Sequence, residues 1–334
     1  MKKNHETNLP LISIVILNYN GLKYLRKTIP PILELDYPDY EIIVVDNNSL
    51  DDSVIYLKKI KTNTKLKLRI ITNQVNYGCS IGKNIGIRNA RGKYILMLDS
   101  DLLINDKKLL NKLYQNYLSL SKIALLGICI LHNPYDKLDY GRYYVDEMIH
   151  AIASKRNLIE INKIFEIKRP LRVGYVSGGA FFFNKNIWFK LGEYDESQPF
   201  NIDDFDIGAR AYIFGYSNYL ANGLYAIHLD IDREKNIDSW CWKYKYFFSG
   251  KCRAILKNYS LKNLLYHLPS FILFSLLKTI THSKRKGAII WKCYFYSIIY
   301  FLNKLPDTLK HRRELQFRRK NKDDKFLKII STQI

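Results

Sequence analysis

The chain has 334 residues, of which 47% are hydrophobic and 14% aromatic, including 26 Tyr. That composition excludes a disordered chain and is enough for one large or two moderate domains with a real core. The formal net charge of +22 calls for an anionic partner: phospholipid, nucleic acid or a phosphorylated substrate.

The charge is unevenly spread. Residues 231–334 hold 23 Lys and Arg against 7 Asp and Glu, whereas the first 230 residues hold 30 against 24. The five cysteines, Cys79, Cys129, Cys241, Cys252 and Cys293, are scattered and form no CxxC pair. They read as reduced thiols in a cytoplasmic setting, with no zinc site. The N-terminal MKKNHETNLP is polar, and LISIVIL after it is too short for a signal peptide and reads as a strand.

From the N-terminus, β-branched apolar runs predict strands at Leu11–Asn18, Tyr40–Asp46, Lys67–Thr72, Lys93–Asp99 and Ile123–Leu131. Two more are expected near Tyr175–Phe183 and Ser217–His228. Helical patterns fall between them at Leu22–Leu33, Asp51–Lys61, Ser80–Ala90, Lys107–Leu120 and Asp204–Phe214. This alternation predicts an α/β domain with a mainly parallel sheet and helices on both faces. EIIVVD and KYILMLD are nearly continuous apolar runs, as strands covered on both faces should be, and both end in Asp. Ligands of open α/β sheets bind beyond the carboxyl ends of the strands, so the acidic ends predict a polar site there.

After about residue 230 the composition changes to interleaved aromatics, Leu and Lys or Arg. Leu264–Ile280 and Gly287–Leu302 approach membrane character, but sit at the short end of the roughly 17–25 residues that cross a bilayer. Basic, aromatic helices lying in the membrane interface fit better, and HRRELQFRRKNK adds further charge. An ordinary helical subdomain packed on the sheet is the alternative.

Asp99-Ser100-Asp101 interrupts the most apolar local stretch, KYILMLDSDLLI. Carboxylates so placed are costly unless paired or bound to a cation. Two of them converging at a strand end can hold a divalent cation that bridges to phosphate. An acidic turn bonding local backbone is the plainer reading of D-x-D alone. Just upstream, Asn76, Gly78, Gly82, Asn84 and Gly86 recur. Small residues there let a helix start approach a phosphate or sugar, or let the helix pack closely on the sheet.

SIVILNYNG, then VVDNNSLDDS, then NYGCSIGKNIGIRNARGKYILMLDSD resemble the successive signatures of family 2 glycosyltransferases with the GT-A fold. SGGAFFFNKNIWFKLGEYDESQPFNIDDFDIGARAYIFGY resembles that family's acceptor-side block. The likeness covers about residues 10–230, and residues 231–260 resemble the tail of its rhamnosyltransferase-like branch. It implies a GT-A catalytic domain over 1–230, with a nucleotide-sugar half at about 10–105 and an acceptor half at about 106–230. A helical, basic, membrane-associating region would follow over 231–334.

By the same resemblance, Asn18, Tyr19, Asp46, Asn76, Gly78, Asn84, Asp99 and Ser100 should line the nucleotide-sugar site. Asp46 would accept from the base, and Asp99 would reach ribose or a metal-bound water. Asp101 should bind Mg²⁺ or Mn²⁺ directly, with Asp99 and His228 beside it. Asp204 matches the catalytic base, supported by Asp203, where the family usually has Glu, and by Arg210. Ser177, Gly178 and Gly179 would floor an acceptor pocket. Acids at 203, 204 and 206 would also suit a helix N-terminus, with Asp206 and Arg210 forming an i,i+4 pair.

The activity so implied is inverting, metal-dependent transfer of one sugar from a UDP- or dTDP-sugar. The acceptor would be a hydroxyl of a saccharide, lipid-linked, at the cytoplasmic face of the cell membrane. The long spans and Q-x-x-R-W signature of processive synthases are absent. Nor does NYNGLKYL resemble the Gly-rich, basic loop that a sugar-phosphate nucleotidyltransferase would need. The rival from another class is a basic membrane- or nucleic-acid-binding protein without catalysis on a degenerate version of this fold. No nucleic-acid-binding motif supports specific nucleic-acid recognition.

Overall fold

A computed structural model describes residues 9–63, 67–132, 142–145, 158–160, 169–198, 200, 202–229 and 237–329. The chain runs β1 (Ile12–Asn18), α1 (Leu22–Leu33), β2 (Tyr40–Asp46), α2 (Ser53–Asn63), β3 (Lys67–Thr72), α3 (Cys79–Asn89) and β4 (Tyr94–Asp99). It continues through β5 (Leu102–Leu103), α4 (Leu109–Leu118), β6 (Ile123–His132), β7 (Arg142–Val145), β8 (Leu158–Glu160), β9 (Leu171–Val173), β10 (Ala180–Asn184), α5 (Lys185–Leu191), α6 (Asp203–Ile213) and β11 (Ser217–His228). A helical region follows: α7 (Ile237–Asn258), α8 (Leu261–Lys286), α9 (Ile289–Asn303), α10 (Leu305–Phe317) and α11 (Phe326–Ile329).

The main sheet has the order β3-β2-β1-β4-β10-β6-β11-β5. The first four strands are parallel, β10 is antiparallel to both β4 and β6, and β6 runs parallel to β11. The result is the mixed, mainly parallel sheet of the GT-A fold. The expected strand near Tyr175–Phe183 is shorter, beginning at Ala180, because the chain turns through Ser177-Gly178-Gly179 before it enters the ladder. The short strands β5, β7, β8 and β9 were not anticipated; two to four residues carry too little pattern to see.

Two apolar layers cover the sheet. Ile14, Ile16, Leu25, Ile29, Ile42 and Val44 pack with α1 and α4 on one face, and Val15, Ile43, Val45, Ile87, Phe181 and Trp188 pack with α3, α5 and α6 on the other. Helix α3 lies unusually close. A Cβ on Gly82 would sit 2.5 Å from Leu17 Cδ1, and one on Gly86 would sit 2.3 Å from Val15 Cγ1. These two glycines therefore serve packing.

The helical region is fastened to α6 by buried contacts of two kinds. Phe205, Ala209 and Tyr212 pack with Ala254, Ile255, Tyr259 and Phe326. Beside them lies an ion network: Arg253 Nε to Asp195 at 2.7 Å, Arg253 to Asp307 at 2.6 Å, Lys257 to Asp206 at 3.1 Å, and Arg210 to Asp206 at 2.8 Å. Lys257 also binds Asp195. Burial raises the Asp195 pKa, but Lys257 and Arg253 outweigh it and hold the carboxyl far below its ordinary value.

Away from this seam, α8 and α9 expose Leu265, Tyr266, Leu273, Phe274, Leu277, Phe295, Ile299 and Leu302. Leu261–Lys284 is the one helix among the described residues that is long and apolar enough to cross a membrane, and most of it is unburied. The reading of all five cysteines as thiols needs a correction: Cys241 of α7 and Cys293 of α9 form a disulfide, with Cα atoms 5.2 Å apart. Cys79, Cys129 and Cys252 remain free.

Removing one partner of a buried charge pair leaves the other uncompensated. Arg253→Ala is expected to cost about 3–5 kcal/mol in urea denaturation of the full chain. Asp307→Asn, at the half-exposed end of the same network, should cost less than about 1 kcal/mol.

Candidate active site

Strand register brings three polar side chains to one edge. Asn18 pairs with Asp46 across β1 and β2, and Leu17 pairs with Asp99 across β1 and β4. Asn18, Asp46 and Asp99 therefore end their strands side by side at the carboxyl edge.

Their surroundings give them different work. Asp46 is buried, and its Oδ1 accepts from Asn18 Nδ2 at 2.8 Å and Ser49 Oγ at 2.6 Å while Oδ2 accepts from Ser49 N. It faces Asn18 and the 47–49 turn. The next residue, Asn47, takes the cleft-side position: its amide donates to Asn76 Oδ1 and Gly78 O, both at 3.0 Å. Gly78 has φ +84°, a conformation that glycine adopts without penalty, and its N–H bonds Asn76 Oδ1 at 2.9 Å. That turn opens α3. Asn84 is fully buried and clamps the 194–196 loop, donating to Tyr194 O and Glu196 Oε1 and accepting from Tyr194 N. It holds the site's frame without facing the cleft.

Each residue of Asp99-Ser100-Asp101 is tied to a different element. Asp99 N donates to Gly179 O at 2.8 Å, Thr28 Oγ1 of α1 donates to Ser100 O at 2.9 Å, and Leu229 N donates to Asp101 O at 2.9 Å. Pairing of β5 with the end of β11 brings His228 beside this turn, with Nε2 3.4 Å from Asp101 Oδ2. A carboxylate oxygen and an imidazole nitrogen are donor types that a divalent cation such as Mn²⁺ accepts. Asp99 is engaged otherwise: its Oδ1 lies 2.9 Å from Lys83 Nζ, which also donates to Gly178 O at 2.7 Å. Among the described residues no group of three His, Cys, Asp or Glu forms a ready cation site. Of the expected set, Asp101 and His228 lie side by side, and Asp99 is turned to Lys83.

The strip Ser177-Gly178-Gly179 runs between the two acid clusters. A Cβ on Gly179 would sit 3.3 Å from Asp99 Oδ2, and one on Gly178 would sit 3.6 Å from Asp204 Cβ and 3.7 Å from Lys83 Nζ. The glycines thus let the Asp99 turn and the Asp203-Asp204 helix start approach across a single backbone. Ile202, just before those acids, has φ +70°. For a β-branched residue this is a strained conformation, worth about 1–3 kcal/mol, at the residue that aims α6. Burial, reinforced by Asp203, raises the Asp204 pKa to about 7, against the pull of backbone N–H groups at Phe205 and Gly178. Burial also raises Asp203, with Lys83 opposing. Arg210 points elsewhere, to Asp206 and to Leu191 O, and supports α6 from its packed side.

Several residues at the site escape a sequence reading. Lys83 is the only charged residue between Arg69 and Arg88, a signal that could have marked it. Lys251 of α7 lies over the Phe205 ring at 3.9 Å, and burial lowers its pKa to about 8 although Asp204 opposes this. A cleft of about 760 Å³ has Tyr19, Asn47, Asn76 and Gly78 on one wall and Trp242, Tyr246 and Tyr300, from α7 and α9, on the other.

The family model for glycosyl transferase family 2 matches residues 13–188, just over half of the chain. The chain belongs to glycosyl transferase family 2. The chain is similar to an uncharacterized glycosyltransferase of Haemophilus influenzae, 38% identical over 114 residues that cover 33% of this chain and 45% of that one. It also resembles glycosyltransferase GlyG of Streptococcus pneumoniae, at 31% identity over 40% of this chain and 42% of GlyG. A third relative is the putative teichuronic acid biosynthesis glycosyltransferase TuaG of Bacillus subtilis, at 28% identity over 28% of this chain and 36% of TuaG. The chain thus matches less than half the length of each.

Among solved structures, S. aureus TarS 1–349 superposes with a TM-score of 0.58 at 16% identity, covering 96% of this chain and 90% of that one. The mannosyltransferase PcManGT of Pyrobaculum calidifontis, solved with GDP-Man and Mn²⁺, gives 0.56 at 14% identity, covering 97% and 86%. At such identities the likeness establishes the GT-A fold of this chain and nothing finer.

A carboxyl whose pKa is raised by folding stabilises the protein below its unfolded pKa, and that contribution is lost as pH rises through the folded value. For Asp204 the window runs from about pH 4 to about 7. Asp204→Asn should therefore be nearly equal to the parent at pH 4 and more stable than it at pH 8, by on the order of 4 kcal/mol. Urea midpoints at the two pH values check this.

Proposed function

We propose that this chain transfers one sugar, with inversion, from a UDP- or dTDP-sugar to a hydroxyl of a saccharide acceptor in cell-surface glycan synthesis. The observation that carries the reading is the strip at 177–179, which holds the Asp99–Asp101 turn and the Asp203-Asp204 helix start on either side of one backbone. Two carboxylate clusters so separated suit two tasks at a single reaction centre: receiving a diphosphate and taking a proton.

In this reading Tyr19, Asn47, Asn76 and Gly78 hold the nucleoside, with Asn18, Asp46 and Ser100 fixing the strand ends beneath it. Asp101 and His228 would hold Mg²⁺ or Mn²⁺. The bound cation supplies charge stabilisation to the departing nucleoside diphosphate. The Mn²⁺ held by PcManGT accords with this. Asp204 accepts the proton of the acceptor hydroxyl as its oxygen bonds to the anomeric carbon and the diphosphate oxygen leaves. A pKa of about 7 suits a base working near neutrality. Asp203 keeps its neighbour's pKa high. Ser177, Gly178 and Gly179 floor the acceptor side. A single in-line displacement inverts the anomeric carbon and needs no covalent intermediate.

The acceptor in this reading is lipid-linked, and the enzyme is peripheral at the inner face of the cell membrane. The exposed apolar side chains of α8 and α9, in the strongly basic C-terminal third, support attachment to an anionic bilayer. The TuaG relative, named for teichuronic acid biosynthesis, accords with a cell-surface product.

A thermal-shift panel with UDP, dTDP, GDP and CDP, each with Mn²⁺ or EDTA, tests the donor site, because a ligand that binds only the folded state stabilises it. UDP or dTDP should raise Tm with Mn²⁺ and lose the effect in EDTA or in Asp101→Ala. Asp204→Asn should keep the shift but lose about 10²–10⁴-fold in transfer rate. The parent rate should fall as pH drops below about 7. Well-folded protein that responds to no diphosphate would overturn the reading.

A further inference from the structure

Beside the donor cleft lies a second cavity of about 400 Å³, between α7 and α9. Trp242 and Tyr300 line both, so the two are adjacent and share these side chains. Lys245 comes from α7, and Lys292, Tyr296 and Ile299 from α9.

The cavity is cationic and aromatic. No Asp or Glu lines it among the described residues. Lys292 is the one charged residue of α9, IIWKCYFYSIIYFLN, and it lies 5.8 Å from the Tyr296 ring centre. Lys245 Nζ lies 4.4 Å from the Tyr300 ring centre, and Lys304, on the donor-cleft side, lies 5.9 Å from the same ring. None of the three lysines pairs with a carboxylate within 4 Å among the described residues. Ring faces hold the ammonium groups in place and leave their charge uncompensated.

The outer rim is apolar. Tyr296 and Ile299 are more than half exposed, and Phe295 and Leu302 continue the same exposed helix face. The groove thus combines hydrocarbon contact along its exposed edge, positive charge from Lys245 and Lys292, and the aromatic faces of Tyr300 and Trp242 that it shares with the donor cleft.

From this sequence of surfaces we infer that the α7–α9 groove binds the phosphate-bearing end of a lipid carrier. The lipid tail lies along the exposed face of α9, its phosphate or diphosphate sits between Lys245 and Lys292, and the attached saccharide passes Tyr300 and Trp242 toward the reaction cleft. The inference rests on the lipid-linked acceptor proposed above and gives that acceptor a site.

The test uses the full chain in EDTA, so that the divalent-cation site takes no part, and measures binding of geranyl diphosphate, geraniol and inorganic diphosphate by calorimetry. Geranyl diphosphate should bind at least tenfold more tightly than either of its parts. The Lys245→Met, Lys292→Met double variant should weaken it tenfold or more and leave the Tm shift with UDP and Mn²⁺ unchanged. Inorganic diphosphate binding as tightly as geranyl diphosphate would make this a free-phosphate site and overturn the lipid assignment. Unaltered binding in the double variant would overturn the groove. Vesicles of anionic phospholipid separate the two readings. Vesicle binding without lysine-dependent geranyl diphosphate binding removes the groove and keeps the membrane reading. Lysine-dependent geranyl diphosphate binding without vesicle binding removes the membrane reading and keeps the groove.

Discussion

The Lys83 ammonium sits where the parallel half of the sheet meets the strip that leads into β10, bonded to Asp99 on one side and to the Gly178 carbonyl on the other. Burial pulls its pKa down, but Asp99, Cys79 and Asp203 outweigh that and hold it above the ordinary lysine value. A buried cation is tolerable only while its partners stay in place. That requirement fixes the separation between β4, α3 and the strip. It also commits Asp99 to a charge partner, while Asp101, two residues on, lies beside His228.

The run Asp203-Asp204-Phe205-Asp206 shows how one short acidic segment is divided by its neighbours. Residues 204 and 206 are about 200° apart around a helix, so they face opposite sides. Asp204 looks across Gly178 with few cations nearby, and burial drives its pKa up. Asp206 is more deeply buried, yet Arg210 and Lys257 outweigh the burial and hold its pKa down. The first becomes a group that exchanges protons near neutrality, and the second a permanently charged fastening for the helical region.

Much of this was legible in the residues. The apolar runs that end in Asp46 and Asp99 located the strands and their carboxyl edge, because strands covered on both faces leave an unmistakable pattern. The Asp99–Asp101 turn stood out because carboxylates beside apolar runs demand partners, whereas the acids at 203–204 stood out through the resemblance of their block to the family's acceptor side. What the residues concealed was direction. Asp46 and Asn84 lie in the expected blocks, but their side chains turn inward, onto Ser49 and onto the 194–196 loop. Lys83 reads as an ordinary helix-surface lysine until Asp99 is seen opposite it. The aromatic wall that α7 and α9 give the cleft of about 760 Å³ depends on contacts between residues far apart in sequence, and no local pattern carries them. Nor does cysteine spacing foretell that Cys241 and Cys293 meet.

The level register of Asn18, Asp46 and Leu17 with Asp99 governs where the chain can change length. Successive strand residues face opposite sides, so one residue gained or lost inside β1, β2 or β4 would exchange the two apolar layers and swing the terminal polar group off the edge together. Core and site therefore share a single reading frame. Length variation is confined to the turns beyond the strand ends, such as 47–52 and 73–78. There an insertion would reshape the cleft wall that Asn47, Asn76 and Gly78 form and leave the sheet untouched, so the shape of the cleft can drift through loop length while the polar groups at the strand ends stay fixed.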